Sequence, residues 1–316
     1  MNKILITGGA GFIGSNLIKR LIKNEEVEIY ALDNFNDFYS RLIKEKNLNE
    51  VIDNHRFKFI EGDLFDEKIL AQLGDVNSIV HLAALPGVRN SIQKSLEYQY
   101  VNTTGTNVLL EFARKNNIKK FILASSSSIY GNNENMPWKE TEYPNPISPY
   151  ASSKIAAEMI GQTFSHLYNM QFIALRFFTV YGPAQRPDLA INSFFDCIYH
   201  KKPIKIFGDG TASRDYTYID DIVSGIIAAI GCNIETFEVL NMGTKNKTSI
   251  NDLILLIQEI CERDAIIEYL PARIGEVQAT LADITKAQFI LNYDPQIGIR
   301  EGLVKYNEWF KNNMLH

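Results

Sequence analysis

The stretch TGGAGFIGSN, Thr7 to Asn16, sets the tightest limit on what this chain can fold into. It follows the apolar run Ile4-Leu5-Ile6. Its glycines at Gly8, Gly11 and Gly14 let a backbone turn sharply off a strand, approach a phosphate closely and lay the next helix against that strand. A helix starting near Gly11 points its unpaired N–H groups and positive dipole end over the turn, an arrangement suited to a pyrophosphate. Spaced glycines alone also occur in turns that bind nothing, so context decides. The next apolar strand, Val27 to Leu32, ends in Asp33, roughly 20 residues beyond the glycines, where a carboxylate accepts the hydroxyls of an adenosine ribose. A carboxylate there also repels a 2′-phosphate, so the expected cofactor is NAD rather than NADP. The competing reading of Asp33 is a helix cap.

Strand-like runs then alternate with helix-length segments: Ile4 to Thr7, Val27 to Leu32, Phe57 to Glu61, Ser78 to Leu82, Lys120 to Ala124 and Phe172 to Arg176. Such alternation predicts an α/β fold, a Rossmann-type doubly wound parallel sheet whose ligands gather outside the carboxyl ends of the strands. Small or polar residues stand at those ends: Asp33, Gly62-Asp63, Ala83-Ala84 and Ser125 to Ser128. From Phe177 onward the alternation loosens, with Gly182-Pro183 and Arg186-Pro187 interrupting it. The expected division is a dinucleotide-binding domain over 1–179 plus about 215–239, and a smaller C-terminal α/β substrate lobe over 180–214 and 240–316. Within the first of these, Asp215 to Ala229 reads as a strand and helix returning to the sheet.

With 316 residues the chain can bury a large core, and its net charge of −5 gives no basis for binding nucleic acid or a membrane surface. No apolar stretch reaches membrane-spanning length and no signal sequence precedes the first strand, which argues for the cytoplasm. Cys197, Cys232 and Cys261 are odd in number and far apart, and the five histidines lack ligand spacing, so no disulfide framework and no metal are expected.

The strongest chemical signal is Tyr150-Ala-Ser-Ser-Lys154 behind Pro149, at the expected start of a helix. Residues four apart share a helix face, so phenol and ammonium sit together. A free tyrosine titrates near ~10, too high for a base at neutral pH, and neighbouring positive charge lowers that value. Lys154 supplies one such charge and an oxidised nicotinamide another. Ser126, just past the fifth strand, is placed to hydrogen-bond a substrate hydroxyl or the keto oxygen formed from it. Together the three describe alcohol oxidation with Tyr150 as base. The plainer reading of Ser125 to Ser128 is a turn with capping hydroxyls.

These motifs resemble those of the extended short-chain dehydrogenase/reductases, specifically the nucleotide-sugar 4-epimerases. The likeness runs through TGGAGFIG, Asp33, Gly62-Asp63-Leu64, HLAA at 81–84, SSSSIYG at 125–131, YASSK at 150–154, GDGTASRDYTYIDD at 208–221 and ADITKA at 282–287. It implies cofactor contacts from Gly8, Gly11, Phe12, Ile13, Gly14, Asp33, Asn34, Asp63, Leu64, Leu82, Ala83, Ala84, Asn102, Ser125, Tyr150, Lys154 and Phe178. Three stretches, DNFNDFY at 33–39, LPGVRNS at 85–91 and RFFTVYGPAQRPDLA at 176–190, resemble the UDP-glucuronate 4-epimerases. By that likeness Pro86, Gly87, Arg89, Ser126, Ser127, Ser128, Tyr150, Thr179, Val180 and Arg186 contact the sugar. Phe207 contacts uracil, and Arg214 and Arg273 hold the UDP pyrophosphate. A uronate needs a cation for its carboxylate, and Arg186 with Thr179 fills that need, since arginine binds a carboxylate two-pronged. Its plainer reading is a surface salt bridge. Arg273 in PARIGEV, 271–277, is the one departure, being more usual in epimerases of neutral sugars.

Relatives that dehydrate or decarboxylate nucleotide sugars carry acidic residues where this chain has Ser126-Ser127-Ser128, so those reactions are not expected. The leading expectation is NAD-dependent epimerisation of UDP-glucuronate to UDP-galacturonate. The alternatives are a 4-epimerase of UDP-glucose or an N-acetylated UDP-hexosamine, and a non-catalytic NAD sensor, which would not need the proton relay. Helices near Thr104 to Lys115 and Ser152 to Tyr168 imply, by the same resemblance, a homodimer.

Overall fold

The structure, a computed structural model, describes residues 2–73, 75–271 and 277–315. Seven strands form one sheet: β1 (Asn2–Thr7), β2 (Val27–Asp33), β3 (Phe57–Glu61), β4 (Ser78–His81), β5 (Lys120–Ser126), β6 (Gln171–Phe177) and β7 (Phe237–Met242). Their spatial order is β7-β6-β5-β4-β1-β2-β3, and every neighbouring pair is parallel. Both faces are covered, which is why the strands are near-continuous apolar runs. Ile4, Ile6, Ile29, Ile122 and Ile173 pack into one layer. Leu5, Leu32, Ile79, Phe121 and Phe172 pack into the other. The order reverses direction between β1 and β4, and a crevice at such a point is where this architecture receives ligands.

The covering helices include α1 (Phe12–Leu21), α2 (Arg41–Leu48), α3 (Gly105–Lys115) and α4 (Pro149–Tyr168). In α1 the residues Phe12, Leu17, Ile18 and Leu21 are buried, while Lys19 and Arg20 sit in the last turn, where cations suit the dipole. Helix α4 starts with Ser148 as its cap, whose Oγ accepts from Ala151 N at 3.1 Å, and with Pro149 in its first turn.

A second lobe gathers α5 (Ala190–Tyr199), the parallel strand pair Pro203–Phe207 and Ile266–Leu270, and the helices Ile250–Cys261 and Ile299–Met314. Between the lobes, Thr179–Tyr181 pairs with Tyr216–Tyr218, and helix Ile219–Gly231 packs back on α1. After residue 215 the chain packs on α1 again and then re-enters the sheet as β7. β7 runs from Phe237 to Met242, so the boundary placed at about 239 falls inside a sheet strand. Among the described residues no helix is long and apolar enough to cross a membrane.

Candidate active site

A cleft of about 1100 Å³ runs across the carboxyl ends of β1, β2, β4 and β5 and into the second lobe. At its floor Gly8 has φ +71°, and a Cβ there would stand 2.8 Å from Ala83 N; a Cβ on Gly14 would stand 2.3 Å from Gly8 O. Only glycine permits this closeness of β1, β4 and α1. The α1 N-terminus has no side-chain cap and no acidic residue in its first turn, so its N–H groups remain available to an anion. Asp33 ends β2 with Oδ2 accepting from Ala10 N at 3.1 Å and Oδ1 from Phe35 N at 2.9 Å. Burial pushes its carboxyl above the usual range, and those backbone N–H groups and Lys44 oppose the shift. Asn34 donates to Asp63 at 2.8 Å across the rim.

The expected cofactor residues line this cleft, with one exception. The buried Asn102 spends its amide elsewhere: Oδ1 accepts from Leu85 N at 2.7 Å, and Nδ2 donates to Leu85 O at 3.1 Å and to Ser153 Oγ at 3.0 Å. It pins the loop carrying Pro86, Gly87 and Arg89 and does not face the cleft. Ser125 lines the cleft but turns its hydroxyl away, donating to Glu158. The sequence reading assigned nothing to Glu158, whose buried carboxylate accepts from Arg176 Nε at 3.0 Å and Nη2 at 2.7 Å. Arg176 Nη1 reaches Tyr130 Oη at 2.9 Å, and Tyr130 donates to Asn241 at 2.7 Å. This chain ties α4 to β5, β6 and β7.

His81 was equally silent in the sequence beyond its place in HLAA. It sits between Thr7 Oγ1, 2.7 Å from Nδ1, and Thr106 Oγ1, 3.1 Å from Nε2. Burial, with Lys154 adding repulsion, pushes its imidazole down to about 3, so it is neutral and holds Thr7 immediately before the Gly8 turn.

Ser126, Tyr150 and Lys154 converge where β5 meets α4. Ser126 Oγ accepts from Ser128 N at 3.2 Å, and the serine opposes the burial-driven rise of the Tyr150 phenol. Lys154 Nζ donates to Ala124 O at 2.9 Å and lies 5.9 Å from the Tyr150 ring centroid. The expected electrostatics need correction. Burial pushes Tyr150 above its ordinary value, Ser126 and Arg186 only partly offset it, and Lys154 is not among the groups that lower it. Lys154 is itself pulled down to about 8 by burial, opposed by Glu158. Desolvation outweighs the protein's own positive charge at the phenol.

The far half of the cleft holds Ser127, Ser128, Thr179, Val180, Phe178, Arg89, Phe207 and Arg214. Thr179 N donates to Asp215 O at 3.0 Å, which fixes this short strand. The Arg89 guanidinium stands 5.9 Å from the Phe207 ring centroid, and Arg214 donates to Ser213 O at 2.8 Å. Arg186 is already paired: Nε meets Asp188 Oδ1 at 2.8 Å and Nη2 meets Oδ2 at 3.0 Å. Arg273 lies outside the described residues. Three residues that line the cleft each hold a buried polar atom, Tyr39 Oη, Ser128 Oγ and Gln185 Nε2, with no hydrogen-bond partner among the described residues. Buried polar atoms are seldom left so, and a water or a bound group in the cleft would satisfy them.

A profile of the NAD dependent epimerase/dehydratase family matches residues 4–243. The UDP-glucuronate 4-epimerase of Thermodesulfobacterium geofontis is 41% identical, over 99% of this chain and 98% of its own length. Among solved structures, the UDP-glucuronic acid 4-epimerase from Bacillus cereus in complex with UDP-glucuronic acid and NAD is 37% identical, with a TM-score of 0.93 over 98% of this chain and 99% of that one. The UDP-glucose 4-epimerase of Thermotoga maritima with UDP-glucose is 34% identical, with a TM-score of 0.91 over 99% of both chains.

Proposed function

Because this chain belongs to the NAD dependent epimerase/dehydratase family, we propose that it is an NAD-dependent 4-epimerase interconverting UDP-glucuronate and UDP-galacturonate through a 4-keto sugar. The observation that carries the reading is one cleft holding Ser126, Tyr150 and Lys154 beside an arginine, with serines at 127 and 128 in place of an acid. In this reading residues 1–179 and about 215–242 form the cofactor lobe.

The Gly8 turn, the uncapped α1 terminus and Asp33 fit a dinucleotide, and Asn34, Asp63, Leu64, Leu82 to Ala84 and Phe178 complete its walls. NAD, when bound, would accept the C4 hydride and give it back to the turned sugar, and would add positive charge near Tyr150. Tyr150 takes the proton of the C4 hydroxyl, while Ser126 hydrogen-bonds the same oxygen and stays with it as a keto group forms. The sugar then turns to present its other face, and Tyr150 returns the proton. The 4-keto uronate is a β-keto acid that loses carbon dioxide readily when its carboxylate aligns with the carbonyl, so Arg186 and Thr179 hold the carboxylate away from that alignment.

Incubating purified protein with NAD and UDP-glucuronate, UDP-glucose or UDP-N-acetylglucosamine and resolving the products tests the assignment. UDP-galacturonate without net NADH is expected. Conversion of the neutral sugars alone would favour the alternative reading, for which the Arg186–Asp188 pairing is the supporting observation. We also propose a homodimer through α3 and α4, supported by the exposed Leu96, Tyr100, Met159 and Leu167 on and beside those helices. Three free thiols suit a reducing cytoplasm.

A further inference from the structure

Arg186 is gripped from two sides. Asp188 occupies the Nε and Nη2 edge of its guanidinium two-pronged, at 2.8 and 3.0 Å, and the Phe38 ring lies beneath it with its centroid 5.3 Å from the guanidinium carbon. The edge that fits a carboxylate best is therefore taken, and among the described residues Nη1 has no hydrogen bond within the protein. Both members of the pair line the cleft, the Arg186 side chain only 18% exposed and that of Asp188 48%. An ion pair with one half in solvent is held by little net energy, so Asp188 is a replaceable partner rather than a lock.

We propose that Asp188 is a positioning residue that limits how tightly Arg186 grips the sugar's carboxylate, leaving it a single-pronged contact that can be released when the 4-keto ring turns. The inference rests on the proposed uronate substrate. A substrate carboxylate approaching Arg186 meets a guanidinium whose charge is already half answered, and it feels repulsion from Asp188 across that group. When the carboxylate leaves for the turn, Asp188 keeps Arg186 compensated, so no bare cation is left in the cleft. Phe38 fixes the plane in which this exchange occurs. It stands five residues after Asp33, so the loop that begins at the cofactor carboxylate ends against the sugar's arginine.

The test compares wild type, Asp188→Asn and Asp188→Glu in two measurements. Binding of UDP-glucuronate and UDP-glucose is titrated in a Tyr150→Phe background, where the sugars are held without turning over, and kcat and KM on UDP-glucuronate are measured with Tyr150 intact. For Asp188→Asn the expected result is tighter binding of UDP-glucuronate by roughly tenfold, the scale of one hydrogen bond to a charged group, with UDP-glucose changed less than about twofold. kcat should fall while KM falls with it, and Asp188→Glu should restore both. Equal weakening of both sugars by Asp188→Asn, without rescue by Asp188→Glu, would mean that Asp188 only shapes its turn, and the proposal would fall. Unchanged binding of both sugars would overturn it as well. Failure of the functional reading looks different: wild type then leaves UDP-glucuronate unconverted and Asp188→Asn binds both sugars alike.

Discussion

The two halves of the cleft are built on opposite plans. In the lining of the cofactor half and the layer behind it nearly every polar group is spoken for: Asp33 by Ala10 and Phe35, Asn102 by Leu85 and Ser153, Ser125 by Glu158, His81 by Thr7 and Thr106. Those groups stand on parallel strands or on helices packed against them. In the sugar half the side chains sit on short strands and turns, two of the three orphaned polar atoms stand beside the predicted sugar contacts, and Arg186, the arginine proposed for the carboxylate, is borrowed by a neighbour. A cofactor that stays through the cycle is served by a rigid seat. A sugar that must rotate within the site is served by contacts that can be made, dropped and made again.

The contrast can be broken from the rigid side first. Tyr150→Phe should lower kcat by ~10²–10⁴-fold or more while leaving NAD bound, because it removes the proton acceptor and keeps the ring. Product-resolved turnover with a cofactor-content assay checks both halves, and near wild-type rates would remove Tyr150 as base. Arg176→Met strands the Glu158 carboxylate in the core, and loss of one partner of a buried pair costs about 3–5 kcal/mol. Denaturant unfolding should report that loss, and the cofactor half should weaken with it.

On the adaptable side, Arg186→Ala should lower kcat/KM for UDP-glucuronate relative to UDP-glucose by roughly ten- to one-hundred-fold, the range of a charge-assisted hydrogen bond. It should also leak a pentose by-product, since a loosened carboxylate reaches the decarboxylating alignment more often. Equal losses on both sugars without a pentose would make Arg186 structural. The smallest effect is one of pH. His81 is held at about 3 in the folded chain against an ordinary 6.5, so between those values the unfolded state binds the extra proton and stability falls as pH falls. About 1 kcal/mol should be lost for each pH unit below 6. His81→Gln should flatten that slope in a series of melting temperatures.

Sequence reasoning finds the rigid half more completely than the adaptable one, for a physical reason. Six of the seven sheet strands are readable because each is an apolar run, spaced from the next by a helix-length segment. β7 escapes because 59 residues of second-lobe and returning chain separate Phe177 from Phe237. Ser126, Tyr150 and Lys154 are legible because helix spacing and strand ends fix them. The Glu158–Arg176–Tyr130–Asn241 chain is not, since its members come from separate elements and only the fold brings them together. Asp188, two residues from Arg186, supplies the salt bridge that is the plainer sequence reading of that arginine, but the sequence does not say which carboxylate takes it. Burial at Tyr150 is not legible either, because the sequence counts charges and cannot weigh desolvation against them.

The turn that carries Arg186 and Asp188 is short, lies at the mouth of the cleft and contributes nothing to the seven-stranded sheet. On the roles proposed for Arg186 and Asp188, a lineage can alter either of two codons separated by a single one and change which sugars are accepted while the machinery that holds NAD is untouched. Preference for an acidic or a neutral hexose is, on this scaffold, a trait that can drift cheaply. Exchange of the cofactor itself would require many changes at once.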